Sequence, residues 1–231
     1  MARYWVGGTG TWDASDTTHW STTSGGAGGA SAPTSSDDVI FNGSSGGGTV
    51  TCSGLLGVFL SLTCTGFTGT LTGTIGNCSG TIVLGSGGTF SGLSIGVSNT
   101  MSLTCAGKSF GSFSVSGGTT TCVDAFSTGI LQIDSSATLK LKNGVTSSIT
   151  SIIPPTSGAN GNLSSASAGS QATLSDTTGT NTLNRMTVQD IAFTGGATWE
   201  LGTNAVDNGN NTGLATSGGT TFDALFAQSL A

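Results

Sequence analysis

The chain has 231 residues, 40 of them glycine, with only 7% charged residues, a net charge of −6 and a pI near 4.2. Its 35% hydrophobic residues and mean hydropathy of +0.18 supply enough apolar surface to exclude intrinsic disorder, and three prolines without a third-residue glycine period exclude collagen. Five scattered basic residues, Arg3, Lys108, Lys140, Lys142 and Arg185, form no cluster that could neutralise a phosphate backbone, which sets nucleic-acid binding aside.

The first 48 residues read as a capping or anchoring segment. Three of the four tryptophans, Trp5, Trp12 and Trp20, fall here, with the only histidine, His19. Aromatic rings this dense can line a sugar site. They can also close the end of a β-structure, where unpaired backbone and an apolar core must be covered. The cap is the preferred reading. Asp37 and Asp38 are the only adjacent acids, and their expected role is to satisfy turn amides. The start MARYWVGG lacks the apolar core of a signal peptide. The longest apolar run, Leu55 to Leu62, is far below the ~20 residues of a membrane helix. Cytoplasmic synthesis and no membrane partner are therefore expected.

From Thr49 to Gly213 short runs alternate apolar and hydroxyl residues and stop at glycine. SLTCTGF at Ser61 recurs as SLTCAGK at Ser102, an offset of 41 residues. Hairpins and sandwich edges would also produce short strands of this kind. The offset favours stacked coils of about 20 residues, with two coils between the repeats and strands about 4.8 Å apart. Period-two alternation then places Leu62, Cys64, Leu103 and Cys105 inward, and Ser61, Thr63, Ser102 and Thr104 outward. Pro154-Pro155 should break the pattern with a loop. Strands resume at Gln171 and Leu183. Thr203 to Gly213, rich in Asn and Gly, reads as turn. Residues 214–231 form a tail in which Phe222, Leu225 and Phe226 share a helical face, a candidate docking element. The expected fold is all-β: a right-handed parallel β-helix or solenoid with an N-terminal aromatic cap.

Chemistry-bearing patterns are sparse. His19 has no distinguished nucleophile, so a catalytic triad is not supported. Cysteines at 52, 64, 78, 105 and 122 show no CxxC spacing, which leaves free, buried thiols as the expectation. Thr49 to Val123 contains no acid, which argues against a lyase or glycosidase groove there. Outward threonine rows suggest ice binding, but threonine is also an ordinary strand residue. No catalytic, metal or cofactor residue is assigned.

Both ends carry a resemblance. Tyr4, Trp5, Val6, Gly7, Gly8, Trp12, His19, Trp20, Ser21, Pro33, Asp37, Asp38 and Phe41 match a pattern YWVGG-x-G-x-W, HWS-x-x-SGG, P-x-x-x-DDV-x-F. That pattern resembles the start of a Gly/Thr-rich family of bacteriophage and prophage virion proteins. GGATWELGTNAVDNGNNTG, from Gly195, looks like its closing motif. The resemblance implies a non-enzymatic virion protein, foremost a capsid decoration or cement protein, with a tail component or short fibre as the runner-up. Its expected partners are the major capsid protein or tail proteins, and its own copies in a homo-oligomer. A glycan-binding adhesin is the alternative of a different class. The interface residues expected on this reading are Trp5, Trp12, Trp20, Phe222, Leu225 and Phe226. The tail after Gly213 departs from the short aromatic close of that family.

Overall fold

The computed structural model describes residues 1–55, 59–76 and 78–215. Among them the chain is almost wholly β, with one 3-10 turn at Gly43–Ser45 and no α-helix. It winds into a β-solenoid of about eight coils. An 11-stranded sheet and a 9-stranded sheet form the two long faces, and the chain alternates between them. Asp38–Ile40, Ser61–Thr63, Thr81–Val83 and Met101–Thr104 stack on one face. Thr49–Leu55, Thr70–Gly76, Phe90–Val97 and Ser109–Val115 stack on the other. The ladders between these strands are parallel.

The 41-residue offset is two coils. Leu62 pairs in register with Ile82, and Ile82 with Leu103. The unrelated-looking TIVLG is therefore the coil between the two SLTC copies, with Leu84 in the place of the cysteine. Leu62, Cys64, Leu103 and Cys105 are fully buried, while Ser61, Thr63, Ser102 and Thr104 are half-buried on the outer side. On the opposite face Ile75, Ile95, Phe113, Leu131 and Ile152 make one continuous inner file. Such files need residues that tolerate a neighbour of the same kind at strand spacing, which aliphatic and aromatic side chains do. The result is a single uninterrupted core running from Trp5 to Trp199.

The first 48 residues pair directly into the stack: Ala2–Trp5 with Asp38–Ile40, and Gly10–Trp12 with Val50–Cys52. Two details differ from expectation. The Asn-rich stretch after Thr203 is not all turn, because Val206–Asp207 pairs with Thr187–Val188. Left-handed Asn204, Gly209 and Asn210 supply the bends on either side. The last coils also gain a third face. The eight-residue strand Thr146–Ile153 is followed one coil on by two short strands, Ala172–Ser175 and Thr180–Leu183. Asp176 makes the corner between them: its carboxylate, 2% exposed, accepts from Asn181 Nδ2 at 2.9 Å and from the Thr178 amide at 3.3 Å.

Candidate functional site

The tryptophans meet at the N-terminal end of the stack. Trp20–Ser21 is the edge strand of the larger sheet and runs antiparallel to Ala2–Trp5, so Trp5 and Trp20 face one another. Trp20 packs edge-on against Trp5 and Trp12, with ring centroids 5.2 and 5.4 Å apart. Phe41 lies against all three rings, and Phe67 extends the cluster into the next coil. His19 stacks on Trp5 at 4.7 Å and 5°, held by Asp16 at 3.0 Å from Nδ1. Gly10 makes room for this stack, because a Cβ there would lie 2.8 Å from the imidazole. Trp5 Nε1 donates to Gly8 O at 2.8 Å.

Trp5, Trp12 and Trp20 are 0–1% exposed. A sugar platform must present a ring face to solvent, and these present none. Their geometry is that of a closure: a short antiparallel edge laid over an aromatic plug. Phe222, Leu225 and Phe226 lie outside the described residues.

The five cysteines are free and buried. Burial pushes the Cys52 thiol up to about 12. Burial raises Cys64, Cys105 and Cys122 further, helped by a neighbouring thiol or by Asp124. A thiol acts as nucleophile or metal ligand through its thiolate, so these five serve as core. Among the described residues no three His, Cys, Asp or Glu side chains are placed to hold a metal ion, and no helix is long and apolar enough to cross a membrane.

The aspartates are occupied with the chain itself. Every described aspartate accepts at least one hydrogen bond. Asp124 takes the amides of Cys105 and Ala106, each at 2.7 Å. Asp190 takes Gly169 N at 3.0 Å and Asn210 Nδ2 at 2.6 Å. Asp37 receives the Thr34 amide and hydroxyl at 2.9 and 2.7 Å. Burial works to raise its carboxyl, but those bonds outweigh it and hold it below its ordinary value.

Sequence reasoning missed one feature. The Pro154-Pro155 excursion forms a ridge at a corner of the solenoid, with an open groove of about 580 Å³ beside it and a smaller one of about 190 Å³ that shares Pro155 and Thr156. Ile153, 42% exposed, and the two prolines form the apolar wall of the larger cavity. Asn184, Arg185 and Thr203, from the corners of the next two coils, form its polar side. Arg185 has left-handed backbone (φ +50) and donates from Nη1 to Gly158 O at 2.8 Å, tying the ridge to the following coil. The Pro-Pro pair and Arg185 were each visible in the sequence. Nothing in their 30-residue separation matches the coil repeat, so nothing there joined them.

No known protein family, curated protein or solved structure matches the chain.

Proposed function

We propose that the protein is a non-enzymatic structural component of a tailed-phage virion, foremost a capsid decoration or cement protein. The supporting observation is the use the fold makes of its polar groups. The described aspartates accept hydrogen bonds from the chain itself, several of them at corners, the cysteines fill the core, and the aromatic end is sealed, so the side chains that usually carry chemistry hold the scaffold together. One core from the first coil to the last makes the molecule a stiff rod, a form suited to clamping or spacing neighbouring subunits. The resemblance of both ends to phage virion proteins gives the reading its particular class. Its partners on this reading are capsid or tail proteins and further copies of itself. A tail component or short fibre is the runner-up and uses the same rod.

Immunogold labelling and cryo-EM of virions from the organism encoding the chain test this. Regular label on the capsid, with density for the rod on the capsid lattice, is the expected result. Label confined to the tail selects the runner-up. Purified particles without the chain overturn both.

A further inference from the structure

We propose that the groove beside the Pro154-Pro155 ridge is a binding site for an anionic saccharide, with Arg185 receiving its carboxylate. This goes beyond the virion reading and does not depend on it.

The groove crosses three successive coil corners. Pro154 to Asn160 forms one, Asn184-Arg185 the next and Thr203 the third, with Arg185 N donating to Thr203 O at 2.8 Å. At about 4.8 Å per coil the three corners cover about 10 Å along the axis. The groove has a volume of about 580 Å³ and is open to solvent, so a ligand would lie along it with one side exposed.

The chemistry of the lining selects the ligand. Arg185 is one of five basic residues in a chain of net charge −6, and among the described residues no carboxylate pairs with it. One of its Nη atoms is engaged by Gly158 O, which orients the guanidinium and leaves donors for a carboxylate. Asn184 accepts from the Thr203 amide through Oδ1 at 2.8 Å, which fixes this side chain in the groove lining as a second polar group. Hydroxyls at Thr156 and Thr203 add short-range donors and acceptors. Ile153, which is exposed, and the half-buried Pro154 present C–H surface over the buried Pro155, the counterpart of the apolar face of a pyranose ring.

An extended acidic peptide is the competing ligand. It would dock by pairing its backbone with a strand edge. The wall here is a Pro-Pro pair, which has no amide N–H to offer. A saccharide needs no such ladder.

The test uses the full chain and isothermal titration with a trimer of galacturonic acid, its methyl ester and a hexaglutamate peptide. The acid trimer should bind, and the ester, with the same skeleton but no charge, should bind about tenfold or more weakly. Binding should weaken as salt rises. R185Q should lose about tenfold or more, and K108Q, at a distant corner, should not. Amide shifts in the NMR spectrum should centre on Ile153, Asn184 and Thr203. Equal affinity for acid and ester, no binding at about millimolar trimer, or tighter binding of hexaglutamate would each overturn the proposal. The comparison of acid with ester is made on the unaltered protein, so it decides the matter even if R185Q does not fold.

Discussion

Trp12 shows how much one residue can carry in this molecule. Its ring touches Trp20, Phe41 and Phe59, and its backbone pairs with Cys52 in the next coil. Removing it opens a cavity walled by rings that cannot collapse together. Trp12→Ala should cost about 3–5 kcal/mol of stability, read from urea unfolding. Trp20 lies as deep, yet its Nε1 is buried without a hydrogen-bond partner, a defect that costs about 1–3 kcal/mol. Trp20→Phe therefore discards area but also discards the defect, and should cost less than Trp12→Phe. Cysteines set the alkaline limit. Folding raises the Cys52 thiol from 9.0 to about 12, so between those values the folded state holds a proton that the unfolded state has lost. Stability is fully present below pH 9 and falls above it, at up to about 1.4 kcal/mol per pH unit for each such thiol. Urea midpoints measured from pH 8 to 11 should drop in this window, and replacing Cys52 by Ala should flatten the drop.

At the scale of the element, corners decide. A strand of three to five residues holds too few hydrogen bonds to define its own ends, so turn chemistry sets them. Asp124 is the clearest case. It accepts two consecutive amides of the preceding coil, and Ala106 there has a left-handed φ of +52. Asp124→Ala would strand both amides and should cost about 1–3 kcal/mol, while Asp124→Asn keeps one acceptor and should cost less. Thermal unfolding of the two variants checks the order. Gly73 plays a related part within a strand: with φ +88, its missing Cβ would otherwise lie 2.1 Å from the Cys52 carbonyl of the neighbouring coil. The strands themselves were legible from alternation, and the stacking from one 41-residue offset. The corner staples were less so, because Asp124 and Cys105 are 19 residues apart and meet only once the coil is closed. The third face was not legible either. Thr180–Leu183 reads as any other short alternating strand, and its separate sheet follows from the turn at Asp176. The groove was hidden for the same reason, since its walls come from corners that no local pattern relates.

The whole molecule behaves as a stack in one dimension. Each coil touches chiefly the coils before and after it, so stability adds up along the axis and a defect at one end stays near that end. Little long-range charge coupling opposes this, for among the described residues the two ion pairs both lie within the first coil. The aromatic plug is then a boundary condition. It prevents the first strands from fraying, and fraying would otherwise pass inward coil by coil. Hydrogen exchange on Trp12→Ala makes the argument measurable. Amides of Val50 and Leu71, in the first coils beneath the plug, should lose most of their protection. Amides of Leu163 and Val188, many coils away, should keep theirs under conditions where the chain stays folded. A uniform loss at all four positions would mean that the stack unfolds as one cooperative unit. The plug would then stabilise the entire rod, and the coil-by-coil account of its stability would be wrong.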